Sequence, residues 1–206
     1  MASAPGRLIA LEGIDGCGKS TQARMLADRL GALLTFEPGA TALGTSLRML
    51  LLDPDQPAVS ERTEALLMAA DRSQHVAEVV RPALDLGTWV VTDRFSASTL
   101  AYQGYGRGLD LRDLKRLIGW ATGGLTPDLT VLVDVDPAVA RARRSGSVED
   151  RLELEGGGFR QRVVDGYRCL ADEPDSPWLV VDGGGTVEEV AALVWDGVQD
   201  RLGGPS

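Results

Sequence analysis

The sequence predicts an α/β fold: a five-stranded parallel sheet covered by helices on both faces. Three observations carry this. Short, almost wholly apolar runs alternate with longer segments of helical period along the 206 residues, the pattern of a sheet buried on both sides. A glycine-rich loop joins the first apolar run to the first helical segment. Polar residues that are costly to bury, Asp15, Glu37, Asp93, Arg94 and Asp182, fall beyond the C-terminal ends of these runs, where the ligands of parallel sheets sit.

In chain order, residues 8–11 (Leu-Ile-Ala-Leu) form the first strand and 22–30 the body of the first helix. Residues 33–36 are a short second strand ended by Glu37-Pro38-Gly39. A helix over 42–52 stops at a proline-rich turn, and Ser60 caps a long helix reaching about residue 84, with Glu61 in its first turn. Residues 88–92 are the third strand, which delivers Asp93-Arg94. A helix over 111–121 precedes the fourth strand, 129–133. Asp136-Pro137 then reads as an N-cap with proline at the first helical position. A helix over 159–170 leads to the fifth strand, 178–182. Thr186 and Glu189 have the spacing of a capping box for the last helix.

Bulk properties narrow the function. With 44% hydrophobic and 25% charged residues, the chain has the composition of one soluble domain over 1–206. A formal net charge of −9 argues against non-specific binding to nucleic acid or to an anionic membrane. Cys17 and Cys169 make neither a disulfide framework nor a zinc pattern, which points to a reducing, cytoplasmic setting. The N-terminus has no apolar signal region, and no run approaches membrane-spanning length.

The strongest motif is the glycine-rich loop. Residues 13–20 fit G-x-x-x-x-G-K-[ST], in which glycines let backbone N–H groups curl around phosphates at a helix N-terminus. The candidate ATP-binding residues are Gly13, Ile14, Asp15, Gly16, Cys17, Gly18, Lys19, Ser20 and Thr21. Lys19, one of only two lysines in the chain, can reach the terminal phosphates. Ser20, with Asp93 across the sheet end, is a candidate Mg²⁺ ligand. Cys17 reads as a small filler of the loop. The N-K-x-D base-reading motif of regulatory GTPases is absent.

Three further constellations stand out. Residues 93–104 begin at a strand end and mix charge, hydroxyls, an aromatic ring and an amide (Asp93, Arg94, Ser98, Thr99, Tyr102, Gln103). A buried Asp-Arg there is costly without partners, so the stretch reads as functional and not as a merely solvated connection. Met68 and Arg72 share one face of the long helix at i, i+4, while Leu66, Ala70, Ala77, Val80 and Leu84 define another. Two readings of Met68 and Arg72 are open: a pocket for a flat base and its polar edge, or a plain amphipathic helix with a surface arginine. Arg141, Arg143, Arg144 and Arg151 cluster before Gly156-Gly157-Gly158, and residues 141–158 read as a small mobile lid. The helix dipole accounts for Arg143 and Arg144 at a helix end, but not for Arg151.

Taken together, these stretches resemble the bacterial thymidylate (dTMP) kinases nearly end to end. The matching blocks are Glu12 to Gln22, Glu37-Pro-Gly, Ala69-Ala-Asp-Arg72, Asp93 to Gly104, Gly106-Arg-Gly108, Asp150-Arg-Leu-Glu153, Phe159-x-x-Arg162-Val and Gly166-Tyr167. The resemblance implies a P-loop NTPase three-layer sandwich and the reaction ATP + dTMP → ADP + dTDP, with Mg²⁺. Lys19, Ser20 and the loop amides would hold ATP, with Asp182 in the loop beside adenine. Asp15, Glu37, Met68, Arg72, Arg94, Ser98, Thr99, Tyr102 and Gln103 would form the dTMP site. Arg94 would clamp the acceptor phosphate and Arg72 would bond the thymine edge. Residues 14–17 lack arginine, so the catalytic cations would be Lys19, Arg94 and the lid arginines Arg143, Arg144 and Arg151. The resemblance also implies a homodimer. Two departures are visible: Met68 stands where the family usually has Phe, and Phe36 where it usually has Arg. They motivate one alternative, a kinase of dUMP or a modified pyrimidine nucleotide. A nucleotide-binding regulatory module is the alternative outside catalysis.

Overall fold

The computed structural model describes residues 6–57, 59–144, 151–152, 155–174 and 177–204. Five strands, β1 (Leu8–Glu12), β2 (Leu33–Phe36), β3 (Val90–Asp93), β4 (Leu129–Asp134) and β5 (Trp178–Asp182), form one parallel sheet in the order β2-β3-β1-β4-β5. Both faces of the central strand are buried. Ile9 and Leu11 join a core with Leu26 of α1 (Lys19–Leu30) and Val190 and Val194 of α9 (Val187–Leu202). Leu8 and Ala10 face Val76, Val80 and Phe95 on the other side. This two-sided burial is why the strands read as continuous apolar runs. The edge strand β2 departs from the rule: Thr35 points inward, while Leu33, Leu34 and Phe36 are exposed.

Register decides where the chemistry lies. Leu11 and Phe36 both pair with Asp93, Glu12 pairs with Leu132, and Asp134 with Asp182. The polar strand ends therefore share one rim. β1 is central, and the chain crosses over it from β3 to β4, so the loop after β1 opens at the point where strand order reverses.

The helices α2 (Ala42–Leu52), α6 (Leu111–Thr122), α7 (Pro137–Arg143) and α8 (Gly157–Ala171) lie close to the expected spans. Asp136 caps α7 through the Ala138 N–H, and the Thr186–Glu189 capping box of α9 is complete. The long helix is α3 (Glu61–His75), a π-helical turn at Val76–Val80 and α4 (Arg81–Asp85). The expected apolar face holds only at its far end, where Val80 is buried and Leu84 packs against the same core. Along α3 Leu66 and Ala70 are exposed, as is Ala77 beyond it, whereas Glu64, Ala65, Ala69, Arg72 and His75 are buried. Polar side chains that bond one another inside the domain take the place that apolar periodicity assigns to leucine and alanine.

Periodicity assigns no element to residues 96–106. They form α5 (Ser96–Thr99), continued by a π-helical stretch at Leu100–Gly106. The cap comes from tertiary structure: the Phe95 and Ser98 N–H groups donate to Glu12 Oε1 at 2.9 and 3.1 Å. A carboxylate 83 residues away in sequence thus supplies what a local Ser or Asp usually supplies. Of the expected lid, residues 145–150 and 153–154 lie outside the described residues, including Asp150 and Glu153 of the block cited above.

Candidate active site

The glycine-rich loop wraps the N-terminus of α1. Gly13, Gly16 and Gly18 hold φ of 141, 86 and 99°, values that a Cβ disfavours. A side chain at Gly16 would also meet the Ala140 carbonyl at 2.3 Å. Lys19 is buried beneath the loop and donates to the Ile14 carbonyl (3.4 Å) and Asp15 Oδ1 (3.0 Å). Burial pushes the Cys17 thiol up, against the pull of Lys19, so it fills space as an unreactive thiol.

Ser20 Oγ donates to Asp93 Oδ2, while Asp93 Oδ1 is buried without a hydrogen-bond partner. Among the described residues no group of three or more His, Cys, Asp or Glu side chains could enclose a metal. A hydroxyl beside an orphaned carboxylate oxygen nevertheless suits Mg²⁺, which keeps most of its waters and takes one or two protein ligands plus phosphate oxygens.

Arg94 sits one residue past β3 with φ 72°, unusual for a residue with a side chain. Its N–H still bonds the Leu11 carbonyl at 2.9 Å, and Thr92 Oγ1 donates to its carbonyl at 2.8 Å. This turn aims the guanidinium across the strand ends. Nη2 donates to Asp15 Oδ1 (2.6 Å) and Tyr102 OH (3.2 Å), and Nη1 to Ser98 Oγ (3.0 Å) and Tyr167 OH (3.1 Å). Beneath it Glu12, fully buried, accepts from Ser98 Oγ (2.6 Å) and Tyr167 OH (3.0 Å) besides the two N–H groups. Burial raises the Glu12 carboxyl, opposed by Arg94 and these hydrogen bonds. Burial would also raise Asp15, but the charges of Arg94 and Lys19 and their hydrogen bonds outweigh it and hold the carboxyl well below the usual range.

Beyond Arg94 lies an open cavity lined by both polar and apolar side chains. Asp15, Glu37, Met68, Arg72, Arg94, Ser98, Thr99, Tyr102 and Gln103 all line it, so every expected acceptor-site residue converges there. Met68 and Arg72 both line the cavity, so Arg72 is not a surface arginine. Arg72 is 2% exposed and donates to Glu37 Oε2 (2.7 Å), Thr99 Oγ1 (2.8 Å) and the Phe95 carbonyl (2.9 Å). Glu37 is fixed in turn by His75 Nδ1 at 2.8 Å.

Sequence reasoning passed over several neighbours. Arg48 of α2 lines the cavity and donates to the Pro38 carbonyl at 2.8 Å, whereas Phe36, at the position of the usual arginine, is 45% exposed. Asp71 and Leu152 also line it, and Tyr167 and Glu12 support it from below. A charged Glu12 ending a wholly apolar strand was the one available signal.

The arginines near the lid part company. Arg143 Nη1 reaches the Cys17 carbonyl (3.3 Å), and Nη2 the Gly184 and Gly185 carbonyls (3.5 and 3.4 Å). The Arg144 side chain lies against Gly16. Arg151 bonds other segments: its N–H donates to the Leu52 carbonyl (3.0 Å) and Nη2 to Glu64 Oε2 (3.3 Å). Asp182 accepts from the Gly184 N–H at 2.8 Å and so shapes its own loop.

Comparison with known proteins fits this geometry. The family model described as thymidylate kinase matches residues 11–194. The chain belongs to the thymidylate kinase family. It is similar to thymidylate kinases of Synechococcus sp. (strain CC9902), at 48% identity over 208 residues covering 96% of this chain and 99% of the relative, and of Carboxydothermus hydrogenoformans, at 51% over 191 residues covering 90% and 93%. The crystal structure of thymidylate kinase from Ehrlichia chaffeensis superposes with a TM-score of 0.78 at 30% identity, covering 95% of this chain and all of that one. Membership makes the chain a nucleotide-binding phosphotransferase of the P-loop NTPase fold with thymidylate kinase activity, and does not favour the dUMP alternative. Among the described residues no helix is long and apolar enough to cross a membrane.

Proposed function

We propose that the P-loop and the cavity align ATP and dTMP for in-line transfer of the γ-phosphate to the dTMP 5′-phosphate. One observation carries this reading: Lys19 of the donor loop and Arg94 of the acceptor cavity converge on Asp15, at 3.0 and 2.6 Å. The two cations thereby stand at the junction of the two sites.

The attacking oxygen of dTMP is already anionic, so no strong base is required. Its lone pair forms the new P–O bond as the β–γ bridge breaks, and the electron pair leaves on the β-phosphate of ADP. The barrier lies in bringing two polyanions into line, so positioning and charge neutralisation do most of the work. Lys19 and the loop N–H groups hold the donor phosphates. Arg94 grips the acceptor phosphate, pre-aimed by Ser98, Tyr102 and Tyr167. Arg143 and Arg144 supply charge from the lid side, and Arg151 joins the lid to the body. Arg72, Met68, Thr99 and Gln103 receive the thymine, with Tyr102 beneath the sugar and Asp182 in the loop beside adenine. Ser20 and Asp93 would hold Mg²⁺, which neutralises donor-phosphate charge when bound.

The chain works in this reading as one domain, in the cytoplasm and without nucleic acid or membrane. A homodimer is supported by the exposed side of α3, where Leu66 is 57% exposed beside a groove lined by Leu109, Leu114 and Leu117; a monomer in sedimentation velocity would remove that part. A coupled ADP-release assay across the nucleoside monophosphates tests the whole, with turnover expected for dTMP and lost when Mg²⁺ is withheld. A chain that turns over another monophosphate at higher kcat/KM than dTMP would overturn the assignment.

A further inference from the structure

Glu64 takes no part in phosphoryl transfer, yet it is the meeting point of three segments. It is 1% exposed in α3. Its Oε1 accepts from Gln103 Nε2 (2.9 Å) and Arg107 Nε (3.3 Å), and its Oε2 from Arg107 Nη2 (3.0 Å) and Arg151 Nη2 (3.3 Å). A carboxylate only accepts, so the Gln103 amide can meet it only through its NH₂ group. That fixes the flip of the amide. Its carbonyl Oε1, on the other side of the amide, is the atom left for the cavity, which Gln103 lines with Met68, Arg72 and Thr99. The carboxylate itself is pinned. Arg107 also pairs with Glu155 and lies over the Phe159 ring, 4.8 Å from its centroid, and the Arg151 backbone is tied to Leu52. Turning Glu64 away would take this carboxylate from two half-buried guanidinium groups, Arg107 and Arg151.

The cavity therefore shows a base edge one acceptor, from Gln103, beside donors from Arg72, whose Nη1 and Nη2 each keep a proton after bonding Thr99 and Phe95. Thymine presents the complement, an N3–H donor next to the C4 carbonyl. Cytosine presents the reverse, an acceptor at N3 next to an amino donor. Were the Gln103 amide free to turn over, it would serve both. We propose that Glu64 is a positioning residue for acceptor specificity: it locks the Gln103 amide so that the pocket takes pyrimidines with an N3–H and rejects cytosine. This rests on the cavity being the dTMP site.

The test is kcat/KM for dTMP and for dCMP at saturating ATP, in the full chain and in Glu64→Gln, Gln103→Ala and the double variant, with Tm measured for each. Glutamine at 64 keeps the shape but can show either amide atom to Gln103. Glu64→Gln is expected to narrow the preference for dTMP over dCMP about tenfold or more, mostly through KM for dTMP. Added to Gln103→Ala it should change that preference no further. Loss of both substrates by one common factor, or an undiminished effect in the Gln103→Ala background, overturns the lock while leaving the site reading intact. Absence of dTMP turnover in the wild-type chain overturns both. Should Glu64→Gln not fold, the side-chain amide resonances of Gln103 in the ¹⁵N-labelled wild type decide. Protection from exchange that persists with and without dTMP supports the lock, and free exchange in either state overturns it.

Discussion

Replacing Arg94 by lysine keeps the charge and removes only the planar fork. Both residues are unbranched at Cβ, so the backbone strain at φ 72° is common to wild type and variant, and the comparison isolates the head group. The guanidinium now spans Ser98 and Tyr167 on one nitrogen and Asp15 and Tyr102 on the other. A single ammonium nitrogen cannot reach both sides. It would stay with the Asp15 carboxylate, the shortest of the four contacts, and give up the Ser98–Tyr167 side. Those hydroxyl contacts are present with or without substrate, so the kinetic loss comes from the phosphate: a charge-assisted grip through two guanidinium N–H groups reduced to one contact costs about 1.5–3 kcal/mol. That corresponds to a loss of about 10–10² in kcat/KM for dTMP. A coupled assay with dTMP varied at saturating ATP, and then the reverse, measures it. KM for ATP should stay within about threefold of wild type, since the P-loop is untouched. Turnover within about threefold of wild type, or a loss confined to ATP, would refute the assignment of Arg94 to the acceptor phosphate.

Two further outcomes follow from the same geometry. Asp15 is held below its ordinary pKa of 3.8 by Arg94 and Lys19 against the effect of burial. A depressed carboxyl adds stability above the unfolded-state value that is lost as pH falls through the native value. Wild-type Tm should therefore fall more steeply than that of Asp15→Asn as pH is lowered below about 4, and parallel acid limbs would contradict the pairing. The lid arginines should separate: Arg143→Ala, beside the Cys17 carbonyl, should lower kcat by about tenfold or more. Arg151→Ala, paired instead with Glu64, should lower kcat less and Tm more, and the opposite ranking would restore Arg151 to the phosphates.

Much of this arrangement was legible in one dimension because it is written in local patterns. The strand and helix spans follow from apolar periodicity, the caps at Asp136 and Thr186 from short-range hydrogen bonding, and the P-loop from glycines that its backbone requires. The residues that line the cavity could be named because the resemblance to thymidylate kinases carries them, block by block, from Asp15 to Gln103. What escaped notice was bonded across long separations. The helix at 96–106 depends on Glu12 as its cap. The buried face of α3 is polar because Glu37, Thr99, Gln103 and Arg107 come to meet it.

The chain alone determined that a triphosphate loop sits between a buried strand and a helix, and that arginines elsewhere in an acidic protein must serve its phosphates. Only the tertiary structure decided which arginines. Strand order β2-β3-β1-β4-β5 and the pairing of Leu11 with Asp93 carry Arg94 to Asp15, while Arg151 pairs with Glu64. An arginine's place is set by the acceptors that can satisfy its buried N–H groups, and here those acceptors come from segments far apart in sequence.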